Sequence, residues 1–208
     1  MMKSKRTMRI GAPLALGLIG LAGCSEENAP VAALTDGGWS VDTENSRLSY
    51  VTVKAGEIAE VNRFEKLDGF VSPDGEAMIE IDLSSVDTGV DIRNERMRDI
   101  FFEVADNPTA KVTAQIEADA FETLGIGDSV TQPLEGQLAV RGIDAPFQTD
   151  VTVTRAGPDR VIAVSDTPII IEARDYDLLE NLGQLQELAG LPSITPAVPV
   201  TFSIVFER

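Results

Sequence analysis

The chain has 208 residues, with 17 basic and 34 acidic side chains, no histidine and a formal net charge of −17. A surface of that charge repels phosphate backbones and anionic lipid head groups, so nucleic-acid binding and electrostatic membrane docking are not expected. The lack of histidine excludes Ser-His-Asp triads, Cys-His pairs and imidazole metal sites.

The first 23 residues have the charge order of a signal peptide. Four Lys or Arg residues and no acidic residue accompany an apolar run over residues 11–20. A bilayer-spanning helix needs about 20 apolar residues, so this run is too short for a retained membrane span. We predict a cleaved signal peptide over residues 1–23, whose removal takes the net charge from −17 to −21.

Cys24 directly follows the apolar run, in the sequence Leu21-Ala22-Gly23-Cys24. This segment resembles the bacterial lipobox, which implies cleavage before the cysteine and a diacylglyceryl group on its thiol. Cys24 is the only cysteine of the chain, so no intramolecular disulfide accounts for it. Two or more acyl chains hold a protein stably on a membrane, which predicts a lipid anchor; a plain secreted protein is the alternative.

Ser25 and the residues after it set the expected location and the domain boundary. Ser25 stands where an inner-membrane retention signal usually has Asp. By resemblance to that sorting rule, we expect an outer-membrane lipoprotein that faces the periplasm of a bacterial cell envelope.

Residues 25–38 are small and polar and lack periodicity, so we predict a lipidated N-terminus and flexible tether over 24–38. A single domain follows over residues 39–208.

Alternation of apolar and polar residues dominates the chain from Trp39 onward and predicts antiparallel strands with one buried face. The predicted strands cover residues 47–53, 61–71, 77–83, 112–120, 134–140, 147–154, 160–171 and 198–206. Turn residues predict hairpins at 72–75 and 141–144. Apolar residues at helical spacing predict two short helices, over 93–104 and 177–189.

About eight half-buried strands form either a sandwich or a barrel, and closure removes exposed sheet edges. The inward residues are mostly of medium size and aromatic residues make up only 5% of the chain, which leaves interior volume unfilled. We therefore predict an all-β, mainly antiparallel, eight-stranded barrel with short helices. The interior of such a barrel is either filled by side chains or holds one small ligand, and both alternatives stay open here.

Three blocks of sequence resemble the YceI-like family, a lipocalin-like barrel family described as binding polyisoprenoids and related amphiphiles. The blocks are Trp39-Ser40-Val41-Asp42 with Asn45-Ser46; Ser85-Val86-Asp87-Thr88-Gly89 with Arg93, Met97-Arg98, Phe101-Phe102-Glu103-Val104 and Pro108; and the hairpin from Leu134 to Ile143 before Pro146. The match covers Trp39 to about Val153. Asn94 and Asp99 depart from the family pattern, which usually has Asp and Ser there, so the head-group contacts are the least transferable part.

The resemblance implies an apolar cavity for an isoprenoid chain, a quinone or another long amphiphile, and we expect no other cofactor. The 34 acidic residues leave a carboxylate-only calcium site as an alternative, but no Asp-rich loop has EF-hand spacing, so we expect no metal. The predicted cavity residues are Ile79, Ile81, Arg93, Phe101, Phe102, Leu138, Val140, Phe202 and Ile204. The guanidinium of Arg93 or Arg98 is the candidate donor to a carbonyl, phosphate or carboxylate head group. The alternatives are core packing for the two phenylalanines, and ion pairs of the arginines with Asp87, Asp91 or Asp99.

Two other functions remain as alternatives. A barrel filled with side chains would be a structural or stress-related envelope protein that acts through protein partners. Asp87-Thr88-Gly89 also matches the aspartic-peptidase signature, but that site needs a second copy or a homodimer, and the chain has no second Asp-Thr-Gly or Asp-Ser-Gly. We therefore expect a binding protein without catalytic residues, and we leave homodimer formation open.

Overall fold

Residues that alternate between inward and outward positions form twelve strands in the part of the chain that the computed structural model describes, residues 33, 34 and 36–208. The predicted signal peptide, Cys24 and most of the predicted tether lie outside the described residues. The strands are β1 (Trp39–Val41), β2 (Arg47–Lys54), β3 (Ile58–Phe64), β4 (Leu67–Val71), β5 (Glu76–Asp82), β6 (Val86–Asp87), β7 (Thr109–Gln115), β8 (Ser129–Val140), β9 (Ile143–Gly157), β10 (Arg160–Ser165), β11 (Ile169–Glu172) and β12 (Ala197–Glu207).

These twelve segments make eight barrel strands, as predicted, because four barrel strands are each interrupted once. The interrupted strands are β1 with β2, β3 with β4, β5 with β6, and β10 with β11. Every neighbouring pair is antiparallel, and β12 closes the ring by pairing with both halves of the first barrel strand, at Val41↔Phe206 and Tyr50↔Val200. Because the ring is closed, each of the eight described barrel strands has a neighbour on both sides.

Two α-helices lie at one end of the barrel, which we call the mouth. They are α1 (Asp91–Arg96), which continues as a π-helical turn over Met97–Phe101, and α2 (Leu179–Leu188). The β2–β3 turn and the β8–β9 turn also lie at the mouth, and the opposite end, the base, carries residues 72–75, 116–128 and 158–159. Among the described residues, no helix is both long and apolar enough to cross a bilayer.

The predicted hairpins and most of the strands are present, but the strand predicted over 112–120 is wrong in its second half. Strand β7 ends at Gln115, and residues Ala118–Phe121 form a 3-10 turn. Phe121 and Leu124 are both buried at the base, and their spacing of three residues fits a turn rather than a strand. Small alanines that alternate with polar residues therefore gave a strand-like pattern in a segment that crosses the end of the barrel.

The folded part of the chain begins before Trp39, which corrects the predicted end of the tether at residue 38. Leu34 is only 7% exposed, and its carbonyl oxygen accepts a hydrogen bond of 2.8 Å from Trp39 Nε1. The Arg208 guanidinium lies 4.5 Å from the centre of the Trp39 ring, and Arg208 Nη1 donates to the carbonyl of Asp36. These contacts hold Leu34 and Asp36 at the base of the barrel.

Leu67 and Leu83 are the two most completely buried large side chains, each 2% exposed. We expect Leu67→Ala to lower the free energy of unfolding by about 2–5 kcal/mol, because it removes buried methyl groups and leaves a void. Chemical denaturation measures this loss, and Phe70→Ala on the same strand, at a side chain 36% exposed, is the matched control. A loss at Leu67 no larger than at Phe70 would contradict the assigned packing.

Candidate ligand cavity

The inward-facing side chains of the barrel enclose a cavity of about 820 Å³. This volume lies within the range of roughly 300–1,000 Å³ that is typical of small-molecule sites. Its wall is made mainly of aliphatic and aromatic residues from all around the barrel, for example Val71, Val112, Ile171 and Val200. The barrel is therefore not filled by its own side chains, and the premise of the solid-barrel alternative is wrong.

All nine side chains predicted for the cavity lie in its wall, and whether they bind a ligand stays a prediction. They are Ile79, Ile81, Arg93, Phe101, Phe102, Leu138, Val140, Phe202 and Ile204. The rings of Phe101 and Phe102 make an edge contact with centroids 4.9 Å apart, and Phe102 also lies 5.8 Å from Phe64. The two phenylalanines thus combine the predicted lining role with the alternative role in core packing.

A small cluster of charges sits where the cavity reaches the mouth. Glu60 Oε2 lies 2.8 Å from Lys54 Nζ and 2.7 Å from Arg93 Nη1, and Arg93 Nη2 also donates to the carbonyl of Thr88 at 2.6 Å. The hydrogen bond from Lys54 and the positive charge of Arg93 lower the pKa of Glu60. One carboxylate between two cations leaves this end of the cavity with a net positive charge.

The prediction that Arg93 pairs with Asp87, Asp91 or Asp99 is wrong. Its partner is Glu60 on β3, and Asp87 instead forms an ion pair with Arg63. Glu60 is 33 residues away from Arg93 in sequence, so no helical spacing could have indicated the contact. Arg98, the other candidate, donates to the carbonyl of Ser84 and is not part of the cavity wall.

Two buried polar atoms of the cavity wall have no hydrogen-bond partner among the described residues: Tyr50 Oη and Arg93 Nε. Burial raises the pKa of Tyr50, so its hydroxyl stays protonated and can donate. An unpaired buried polar group typically costs about 1–3 kcal/mol. An acceptor oxygen of a ligand at either donor would remove the cost for that donor. Tyr50 is not among the predicted cavity residues: its inward position fits the alternation along β2, but nothing in the sequence indicates that its hydroxyl would be unpaired.

The Asp87-Thr88-Gly89 segment forms the turn that leads into α1. Asp87 Oδ1 accepts a hydrogen bond of 2.9 Å from the amide of Gly89, and Asn94 Oδ1 accepts from both the amide and the hydroxyl of Thr88. The hydrogen bond from the Gly89 amide, helped by the charge of Arg63, lowers the pKa of Asp87. A carboxylate held ionised in this way suits a structural turn, whereas a peptidase dyad needs two carboxylates that share a proton.

We expect Asp87→Asn to weaken the pH dependence of folding. Because the folded-state pKa of Asp87 lies below its usual value of 3.8, its ionised form stabilises the fold above that pH, and the stabilisation is lost as pH falls. Melting temperatures are measured from neutral pH down to below pH 3.8. The variant should melt at a lower temperature than wild type near neutral pH, and the difference between their melting temperatures should shrink in acid. Asp99→Asn, at an exposed position of the mouth, is the control. A difference that does not change with pH would contradict the assignment.

The mouth is held together by contacts between elements that are distant in sequence. Asn181 of α2 is buried, its Nδ2 donates to the carbonyl of Ile100 at 2.6 Å, and its Oδ1 accepts from Arg141 Nη1. Arg141 and Gly142 both have positive φ, as a two-residue turn between β8 and β9 requires.

Among the described residues, no three carboxylate or cysteine side chains come close enough to bind a metal ion.

A closed, eight-stranded, antiparallel barrel around one apolar cavity defines a lipocalin-like architecture. The chain belongs to the YceI-like domain family, whose pattern matches residues 39–206.

Solved structures show the same fold. A polyisoprenoid binding domain from Saccharophagus degradans, implicated in plant cell wall breakdown, is 35% identical, with a TM-score of 0.79 over 82% of this chain and 98% of that domain. BcnA from Burkholderia cenocepacia is 16% identical, with a TM-score of 0.58 over 79% of this chain and 98% of BcnA, and this likeness concerns the fold alone. No curated protein matches the chain significantly.

Proposed function

We propose that this protein binds a long amphiphile, such as a polyisoprenoid or an isoprenoid quinone, with the hydrocarbon chain inside the barrel. The observation that carries the proposal is the cavity of about 820 Å³, whose wall is apolar except near its ends. Each methylene group buried there contributes about 0.8 kcal/mol, so chain length alone can give high affinity. The similarity to a domain that is described as polyisoprenoid binding supports the same class of ligand.

The polar end of the ligand would lie at the mouth. Tyr50 Oη and Arg93 Nε have no hydrogen-bond partner within the described part of the chain, and the Lys54, Glu60 and Arg93 cluster carries a net positive charge. A carbonyl, phenol or phosphate oxygen would accept from these donors. An apolar chain with one acceptor-rich end fits the arrangement better than a polar metabolite does, because most of the wall offers no hydrogen bonds.

A fluorescent prenyl probe tests this proposal directly. We expect farnesol with a dansyl label at the end opposite its hydroxyl to bind the purified protein saturably at one site, and unlabelled prenyl alcohols to displace it. The fluorescence should shift to shorter wavelengths because the label enters an apolar cavity. Failure of prenyl compounds to bind, or binding that no excess of competitor displaces, would contradict the proposal.

Cys24 carries the second part of the proposal, which is a lipid anchor in the outer membrane facing the periplasm. Because Leu34 packs on the barrel, only residues 25–32 would separate Cys24 from the folded domain, and eight residues reach at most about 30 Å when extended. The barrel would thus stay within about 30 Å of the membrane surface.

We expect Cys24→Ser to move the protein from the membrane fraction to the soluble fraction, because it removes the acylated thiol. Cell fractionation with immunoblotting measures the distribution, and Ser25→Ala is a control that keeps the cysteine. Equal membrane association of the Cys24→Ser variant and wild type would contradict the lipid anchor.

A further inference from the structure

One part of the barrel wall departs from the pattern of the rest. On the paired strands every second residue lines the cavity, for example Leu48, Tyr50 and Thr52 on β2, because successive strand residues point to opposite faces. Two segments break this rule with four consecutive lining residues each, 114–117 and 132–135. In both segments the cavity is therefore also in contact with residues whose side chains point outward, and the neighbouring strand does not cover them.

The two segments face each other across the contact between β7 and β8. The register of this pair runs from Lys111↔Ala139 to Ala114↔Gly136 and then stops. Its continuation would place Gln115 opposite Glu135, which is where the consecutive lining begins. Among the described strands, β8 residues 129–135 pair only with β9. The described strands thus make no ladder between these two segments, and we call this stretch of the wall the seam.

The chemistry of the seam differs from that of the mouth. Ile116, Leu134 and Phe147 make its inner side apolar, whereas Glu117 and Glu135 are exposed at its outer edge. Gly136 sits where the pairing ends, and a Cβ added there would lie 2.6 Å from the Phe147 ring, so the glycine lets this ring lie against the strand. The seam thus accepts hydrocarbon and, with two carboxylates, repels anionic head groups, whereas the Lys54, Glu60 and Arg93 cluster in the cavity wall at the mouth is net positive.

We propose that the seam is a side opening through which the end of a hydrocarbon chain longer than the cavity leaves the barrel. This inference rests on the proposed function, with the head group at the mouth. A fully closed barrel would reject chains beyond the length that its cavity holds. An opening in the lower wall removes this limit, because the excess chain stays outside at no added cost relative to the free ligand. The protein would therefore accept polyprenyl chains without an upper limit on length.

A disulfide across the seam tests the inference. Gln115→Cys with Glu135→Cys, in a Cys24→Ser background, places two thiols on the outer face where the next rung would be, without filling the cavity. Displacement of dansyl-farnesol by farnesol and by decaprenol is then measured on the oxidised and reduced protein. Oxidation should weaken decaprenol binding about tenfold, because a few methylene groups that can no longer be buried in the cavity account for such a loss. Oxidation should leave farnesol binding unchanged.

The matched control joins the same two strands where they are already paired, with Lys111→Cys and Ala139→Cys, and its oxidation should change neither affinity. A short bismaleimide replaces the disulfide if the seam thiols do not meet. Equal decaprenol affinity with and without the cross-link would overturn the inference. If neither the wild-type protein nor the reduced double-cysteine variant binds farnesol, the proposed function is wrong instead.

The wild-type protein offers a second measurement that needs no variant. A dansyl group at the far end of a bound decaprenyl chain should be quenched by acrylamide nearly as strongly as the free dye. The same group on bound farnesol, which is short enough to stay inside, should be protected. Protection of the decaprenyl label would show that the whole chain folds up within the cavity, and would overturn the side opening.

Discussion

Val112→Trp is expected to lower the affinity for long amphiphiles about tenfold or more without unfolding the protein. Val112 lies midway along β7, paired with Ile79 on one side and Leu138 on the other, and its side chain faces the cavity. An indole there occupies the path of the chain and displaces several methylene groups, each worth about 0.8 kcal/mol of burial. The added ring enters open space, so the usual cost of overpacking a filled core does not apply.

Thr113→Trp is the matched control, because the adjacent residue of the same strand is exposed on the outer face. It adds the same indole without reducing the cavity, so affinity for dansyl-farnesol and for decaprenol should stay at the wild-type level. Melting temperatures of both variants verify that each is folded. Equal affinities of the two variants for prenyl compounds would contradict binding inside the barrel.

Arg93→Met is expected to weaken the binding of a phosphorylated prenyl ligand more than that of the parent alcohol. A hydrogen bond to a charged group contributes about 1.5–3 kcal/mol, which corresponds to a loss of roughly tenfold to a hundredfold for farnesyl phosphate. Farnesol should lose less, because most of its affinity comes from the hydrocarbon. Methionine keeps an apolar side chain of similar length against the wall.

Arg96→Met is the control for Arg93→Met. Arg96 also lines the cavity at the mouth, but its Nη1 donates to the carbonyl of Leu188, 3.4 Å away. Competition with dansyl-farnesol gives the ratio of the affinities for the phosphate and for the alcohol in each variant. If Arg93→Met lowers both affinities by the same factor, Arg93 only holds α1 against Glu60, and the head-group role is wrong.

Local patterns predicted the positions of most barrel strands but not all of their ends and interruptions. Strands of this kind have one buried face, so alternation at Val198 to Phe206 predicted β12 to within one residue at each end. The same pattern failed over residues 116–120, because burial of Phe121 and Leu124 at the base imposes a turn there. The interruptions at residues 65–66 and 83–85 also have no local signal.

The candidate site was predictable where it depends on alternation and not where it depends on distant contacts. Inward positions such as Ile79 and Leu138 follow from their place in a strand, and the structure places both in the cavity wall. The contact between Arg93 and Glu60 joins α1 to β3 and could not be inferred from spacing. The seam is a missing contact between two strands, so no property of either strand alone indicates it.

The most direct test of binding inside the barrel is mass spectrometry of what the protein carries when it is purified from a bacterial membrane background. Organic extraction of wild-type protein should release an isoprenoid or another long-chain amphiphile in a near-stoichiometric amount, and Val112→Trp should release much less. Wild-type protein that carries no lipid and takes up none when mixed with prenyl compounds would contradict the assignment of the cavity as a lipid site.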